Sequence, residues 1–318
     1  MRRIWKDFLL AVFLGMILPR LVVNTTLLFA DPEPTENVIP ESKISRPAWV
    51  RTGLQVTQMD LERYLTGVVL AEMPASFEEE ALKAQSVAAR TYTQKALVTG
   101  GKHGDGSVCT ESSCCQGYIS ETAYLEKGGT QEAAAKVAAA VESTSGYVLQ
   151  YDGELIEATY FSSSGGSTEA AVAVWGAEIP YLQAVSSPEE DAQCYEQTCS
   201  FTPEEFQKAL GRSLPGSPQD WITVTTYTEG GGVATMTIGG ESYSGTQLRK
   251  LLDLRSTAFS VEAASDEIQF TTRGYGHRVG LSQYGANAMA AEGKNYREIL
   301  LHYYPGTELV YLESNVIE

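Results

Sequence analysis

The chain has 318 residues and carries 23 Lys+Arg against 40 Asp+Glu, a formal net charge of −17, with 43% hydrophobic and 20% charged residues. That length holds one large domain or two modest ones, and the apolar fraction is enough for a packed core, which excludes an intrinsically disordered chain. The acidic balance excludes a nucleic-acid binder, which needs Lys and Arg against phosphates, and a basic patch for anionic lipid.

Residues 1–30 form a separate element. Arg2, Arg3 and Lys6 precede the apolar run FLLAVFLGMIL (8–18), which resumes after Pro19-Arg20 as LVVNTTLLFA (21–30). Eleven residues fall short of the roughly 20 a spanning helix needs, and bridging Pro19-Arg20 supplies the length with one charge inside. The basic end predicts an uncleaved membrane anchor; a cleaved signal peptide and a buried soluble helix are the alternatives. The first two readings both export the rest of the chain, which has a net charge of −20. Residues 31–47, DPEPTENVIPESKISRP, hold four prolines and no apolar period, and predict an extended linker. Residues 48–318 are the folded region.

Within it, spacing predicts a helix over 60–72, capped by Asp60 and stopped by Pro74. A longer helix follows over 77–97, with acids in its first turn, and ends at Gly100-Gly101. A third runs over 132–144 and stops at Gly146. The period changes over 147–164, where Asp152-Gly153 between two β-prone runs predicts a hairpin. A Thr-Pro-Glu-Glu start predicts a helix over 201–210. Residues 222–245 read as a β-meander with Gly turns, 246–254 as a short helix and 267–276 as a strand. QYGANAMAAEG and NYREILLHYYPG read as two closing helices. No internal repeat is present. Mixed runs of helices and antiparallel β segments, rather than strict βαβ alternation, give the α+β class, with 200–265 a candidate smaller subdomain.

Five segments carry candidate chemistry. His103, Cys109, Cys114 and Cys115 fall within thirteen residues of a Gly/Ser-rich loop, in a chain with three histidines and five cysteines. Thiolates and imidazole are the ligands of a closed zinc site; a disulfide from Cys109 to Cys114 or Cys115 is the alternative. Cys194 and Cys199, in CYEQTC, suggest a small disulfide loop. Glu72 ends the first helix among Val68, Val69, Leu70 and Met73, surroundings that permit a desolvated carboxyl with a raised pKa. YFSSSGGSTE (160–169) and GYGHRVGLSQYGA (274–286) are Gly-dense turns whose hydroxyls, amides and bare backbone suit a sugar ligand.

Together AEMPASFEEEALKAQSVAARTYTQKA (71–96), YFSSSGGSTE, PYL (180–182) and GYGHRVGLSQYGANAMAAEGKNYREILLHYYPGTEL (274–309) resemble the stage II sporulation protein D family, in family order from about Val50 to Leu309. The resemblance implies an α+β fold around a cleft and a lytic transglycosylase that cuts peptidoglycan glycan strands during forespore engulfment. The Glu of the Glu-Met-Pro motif, here Glu72, is implied as the catalytic residue, acting as acid and then as base. Cleft-lining roles carry over onto Tyr160, Ser164, Gly165, His277, Gln283 and Tyr284, and Arg90 and Tyr92 are expected to face the same cleft. Some clostridial members hold zinc through His and Cys in the loop after the second helix, which implies a structural zinc at His103, Cys109, Cys114 and Cys115. Arg278 stands where the family usually has Gly, so its side chain is expected in the cleft, and Leu281 replaces a usual Met. Implied partners are glycan already stripped of stem peptides, an amidase, and a membrane scaffold, on the wall side of a single-pass membrane protein. The amidase-enhancer branch implies the alternative, a non-catalytic glycan-binding activator of an amidase.

Overall fold

The computed structural model describes residues 47–189 and 195–312. The expected anchor (1–30), the expected linker as far as residue 46, and Cys194 of the expected disulfide loop lie outside the described residues. Among the described residues no helix is long and apolar enough to cross a membrane.

The fold opens with a hairpin of β1 (Pro47–Thr52) and β2 (Gln55–Asp60). Ala48 and Val50 point inward and Trp49 outward, the period-2 alternation of a half-buried strand. Asp60 ends the hairpin and caps α1 (Leu61–Glu72), accepting the Arg63 N–H at 3.1 Å. Leu61, Tyr64, Leu65, Val68 and Val69 form its buried face. Then come α2 (Glu79–Thr99), a 3-10 turn (Gly101–His103), β3 (Val108–Cys109) parallel to β1, α3 (Glu121–Glu126) and α4 (Gln131–Ser143). Gly100 ends α2 at φ 86°, a left-handed C-cap suited to glycine.

Helix α2 is the axis of the main core. Ala81, Ala84, Ala88 and Ala89 are fully buried, and these small side chains let α1 and α4 approach closely. Lys83 pairs with Glu79 and Glu80 at 2.6 and 2.8 Å in its first turns.

The hairpin β4 (Tyr147–Tyr151) and β5 (Glu154–Leu155) turns at Asp152-Gly153, both at positive φ as a tight turn requires. After β6 (Tyr160–Phe161) and α5 (Ala171–Trp175) the chain enters a second hydrophobic cluster. That lobe holds β7 (Glu196–Phe201), α6 (Pro203–Leu210), the antiparallel meander β8 (Ile222–Tyr227), β9 (Val233–Ile238) and β10 (Glu241–Ser244), then α7 (Gly245–Leu251), β11 (Ala258–Ala263) and β12 (Ile268–Arg273). Phe206 stacks on Trp221 at 6.3 Å, and Phe270 meets Phe201 edge-on at 5.9 Å. Thr202 and Glu205 close a capping box on α6. The chain returns to the main core through β13 (Leu281–Ser282), parallel to β6, then α8 (Gln283–Ala291), α9 (Tyr296–Tyr303) and β14 (Glu308–Tyr311), which pairs with β4. Helices α8 and α9 complete the bundle around α2.

Candidate active site

A cleft of about 770 Å³ lies where α1 ends. Glu72 sits in it at the C-terminus of its helix, beside Tyr92 and Tyr160. One wall is the loop 112–115, and the other is the segment 157–162. Trp175 and Tyr275, 44% and 49% exposed, stand in its lining and offer flat faces to a ligand.

The carboxyl of Glu72 is held above its ordinary value, chiefly by burial; the backbone N–H of Gly117 and the Gln283 amide pull it back down. Its place at the negative end of the α1 dipole also disfavours the carboxylate. Gly117 donates its N–H to Oε1. A Cβ at Gly117 would lie 2.8 Å from that oxygen, so only glycine lets the backbone come so near. The Gln283 amide reaches toward the same carboxyl, although its Nε2 makes no hydrogen bond of standard geometry. This carboxyl is therefore protonated more readily than a surface glutamate, yet its anion keeps a fixed donor.

Tyr160 donates its hydroxyl to Gln116 Oε1 at 3.0 Å, and Gln116 Nε2 donates to Thr93 at 2.9 Å and Tyr64 at 3.3 Å. Burial raises the Tyr160 phenol far out of the physiological range, so it stays neutral. Tyr92 is raised likewise, by burial and then by Cys115.

His277 packs between Phe161 and Trp175, ring centroids 5.5 and 5.4 Å away. Its Nδ1 accepts the Val279 N–H at 3.1 Å, which places the proton of the neutral ring on Nε2. Burial, helped by the Arg249 charge, lowers its pKa to about 4. The unfolded chain therefore binds one more proton between about 4 and 6.5. Stability from this group is complete above 6.5 and is lost as pH falls through that window. His277→Gln is expected to flatten this part of the slope in urea denaturation from pH 4 to 7. An unchanged slope would show that the ring is not buried neutral.

Several residues expected at the cleft stand elsewhere. Arg90 does not face it: the side chain is 1% exposed and forks onto Glu62 at 3.1 and 2.6 Å. It also donates to the carbonyls of Val141 and Tyr147, so five donors on one buried fork join α1, α2, α4 and β4. Ser164 and Gly165 do not line the cleft either. They turn toward the buried carboxylate of Glu189, which accepts from the Ser164 N–H and hydroxyl, the Gly165 N–H at 2.7 Å, and Ser282. Tyr284 leaves the cleft and packs edge-on against Phe77 at 5.0 Å.

Arg278 likewise does not narrow the cleft. It is 1% exposed and donates to the carbonyls of Ser164, Ser167 and Gly230 at 2.6–2.7 Å and to Glu169 Oε1 at 3.0 Å. Glu169 also accepts from Thr228 and the Gly232 N–H at 2.7 and 2.9 Å. The pair thus fastens the loop 228–232 of the lobe to the turn behind the cleft. Leu281 is fully buried in the main core.

Sequence reasoning missed Lys102, Gln116, Gly117, Glu157, Trp175, Arg249 and Tyr275 around this site. Tyr275 lies in a segment rich in Gly, the signal that marked the other turns, whereas Gly117 is a lone glycine in CCQGYIS. Nothing in TQLRKLLDL marks Arg249 apart from an ordinary surface helix.

The loop that walls the cleft gathers His103, Cys109, Cys114 and Cys115, whose donor atoms all lie within 4.8 Å of one another. His103 Nε2 is 3.5 Å from Cys115 Sγ and 3.9 Å from Cys114 Sγ, and the two sulfurs are 3.9 Å apart. Zn–S bonds of about 2.3 Å and Zn–N bonds of about 2.0 Å at tetrahedral angles require edges of about 3.5–3.8 Å. The edges of 3.5–3.9 Å among His103, Cys114 and Cys115 come close to these, and the donor chemistry suits zinc, while the full set spreads to 4.8 Å and would have to draw in by about 1 Å around the ion. Cys109, Cys114 and Cys115 are free thiols here, far from the sulfur–sulfur contact of a disulfide.

A family model described as stage II sporulation protein matches residues 51–151. Stage II sporulation protein D of Bacillus subtilis (strain 168) is 41% identical over 273 residues, 84% of this chain and 79% of that protein. The protein of that name from Bacillus amyloliquefaciens is 39% identical over 285 residues, 88% of this chain and 82% of its own length. The amidase enhancer of Bacillus subtilis (strain 168) is 31% identical over 300 residues, covering 77% of this chain and 40% of that protein.

Proposed function

Because this chain belongs to the stage II sporulation protein D family, we propose that it is a lytic transglycosylase of peptidoglycan, cutting the MurNAc–β-1,4–GlcNAc bond to leave 1,6-anhydro-MurNAc ends. The observation that supports this reading is Glu72, a carboxyl held protonation-prone by burial in a cleft roomy enough for a glycan strand. Protonated Glu72 gives its proton to the glycosidic oxygen as the bond to C1 breaks. The resulting carboxylate, held by the Gly117 N–H, takes the proton of the muramyl 6-hydroxyl as that oxygen bonds to C1. One proton enters and one leaves, so Glu72 ends as it began and no water is consumed. Trp175 and Tyr275 suit the apolar faces of pyranose rings.

The zinc set extends this proposal. His103, Cys109, Cys114 and Cys115 would hold the ion as a closed structural centre, with no open position for substrate. Its service is to fix the 112–115 wall. Element analysis is expected to give one zinc per chain. Stripping it removes about 2.7 kcal/mol of stability for an ion present at a hundred times its Kd, a fall in Tm of roughly 5–10 °C. A chain without zinc, or a Tm indifferent to chelator, would contradict the assignment.

Residues 1–30 are proposed to anchor the protein in the cell membrane, with the cleft on the wall side, between forespore and mother cell. An amidase that removes stem peptides and a membrane scaffold of the engulfment machinery are the proposed partners. Mass spectrometry of products from peptide-free glycan strands incubated with the full chain tests the activity. Anhydro-muramyl ends are expected; reducing ends would mean that water is the acceptor and would overturn the reading. The likeness to an amidase enhancer favours a second reading, a glycan-binding activator of an amidase. That reading requires amidase stimulation by a wild-type chain that yields no glycan products of its own.

A further inference from the structure

The smaller lobe sends one side chain into the cleft. Of the residues that line it, Arg249 alone comes from the span 196–273. Helix α7 carries it in its last turn, while Leu248 beside it is buried in the lobe's core. Its Nε donates to the Leu254 carbonyl at 3.3 Å, which fixes the guanidinium and leaves the two terminal nitrogens for a ligand. Among the described residues no carboxylate lies within ion-pairing distance of it. Within the lining it interacts with Tyr275 and the uncharged ring of His277, and the same cleft also holds the carboxyls of Glu72 and Glu157. Lys102, the other cation of the lining, already donates to the Cys114 carbonyl. A partly buried guanidinium with no carboxylate in contact is costly to keep, the more unusual in a chain with a net charge of −17, and Asp253 acts on it only from beyond ion-pairing distance. Burial accordingly draws its pKa down, against smaller opposing effects of Tyr275 and Asp253.

A guanidinium with two free nitrogens matches a carboxylate or a phosphate. On the muramyl-glycan reading, from which this inference proceeds, two groups of a strand qualify. A phosphodiester would sit on the muramyl 6-oxygen, but that oxygen must be a free hydroxyl to attack C1. The other is the lactyl carboxylate, which is an anion only where no stem peptide is joined to it through an amide. We infer that Arg249 is a specificity-determining residue whose guanidinium pairs with the free lactyl carboxylate of a muramyl residue, so that the cleft selects peptide-free glycan. The lobe's contribution to the site is then to hold one cation against the sugar, braced by the Glu169–Arg278 pair.

Calorimetric binding to the full chain carrying Glu72→Gln, which leaves the strands intact, tests this without depending on turnover. The ligands are glycan strands with free lactyl carboxylates and the same strands converted to lactyl methylamides. Free strands are expected to bind about tenfold tighter, the worth of one charge-assisted pair. Arg249→Gln should bring the ratio to about one, and Arg249→Lys should restore part of it. Equal binding of both strands to the parent chain, or an unchanged ratio in Arg249→Gln, overturns the inference while leaving the glycan reading standing. Methylamide strands phosphorylated on the 6-oxygen that regain Arg249-dependent affinity would assign the subsite to phosphate and overturn it too. Binding of neither strand would overturn both readings together.

Discussion

If the chain is the lytic transglycosylase proposed above, Glu72→Gln is expected to lower the release of 1,6-anhydro-muramyl ends about a thousandfold, within the range for loss of a general acid–base group. Gln keeps the volume and can still meet the Gly117 N–H with its carbonyl. The loss is therefore expected in kcat with KM nearly constant, the signature of an interaction made only in the transition state. A pH series sharpens the test. The acid step needs a protonated carboxyl, and burial raises the Glu72 pKa above 4.5. The rate should fall as pH rises through that displaced value, and this limb should be absent from the residual activity of the variant. Glu157 also lines the cleft, but its carboxylate faces Lys95 at 4.0 Å. Glu157→Gln is expected to change the rate less than tenfold and leave the product chemistry as it was. Retention of more than a tenth of the rate by Glu72→Gln, measured by anhydro-end release, would remove Glu72 from the chemistry.

Glu169→Ala is expected to cost about 3–5 kcal/mol, because it leaves the Arg278 guanidinium buried without its counter-charge. Both side chains are 1% exposed, so solvent cannot enter to replace the lost carboxylate without opening the structure. Tm should fall on the order of 10 °C. The loss should be largely specific to the unpaired charge: the double variant Glu169→Leu with Arg278→Met is expected to recover much of it, as apolar replacement of a whole buried pair often does. Recovery will be incomplete, since the carbonyls of Ser164, Ser167 and Gly230 lose their donor. Urea denaturation of the single and double variants decides the matter. A loss below 1 kcal/mol in Glu169→Ala would mean that the pair is incidental to the fold.

The helices were legible because their signals are local. Asp60, Gly100 and the Thr202–Glu205 box are caps whose meaning is complete within four residues. The hairpin at Asp152-Gly153 was legible for the same reason. Strand β7 escaped because its partner β12 lies beyond the whole lobe and is chosen by tertiary contact; β1 and β11 pair with their sequence neighbours β2 and β12 across turns that lack an Asn-Gly or Asp-Gly pair. At the site, the His/Cys cluster was readable from density in sequence alone. Arg90 was misplaced because its position on α2 relative to Glu72 says nothing of Glu62, 28 residues away, which captures it. Arg278 was misplaced for a related reason: standing where the family usually has Gly, its added side chain was expected in the cleft. At φ 66°, a conformation glycine adopts most easily, the chain instead aims a guanidinium backward into four acceptors. Gly117 supplies backbone, not a side chain, so its approach to Glu72 has no counterpart in residue type.

Phe201 stands opposite Ile268 in the antiparallel pairing of β7 with β12. The 66 residues between them thus leave and re-enter at one place, and they are tied to the chain outside it by β11 on β12 and by the loop 228–232 on Glu169 and Arg278. Such an insert can change length in its loops so long as those ties are kept, and Glu72 is built from a different stretch of chain. On the proposed reading, the cation offered to the ligand and the carboxyl that does the chemistry therefore sit on different stretches of chain, Arg249 inside the insert and Glu72 outside it.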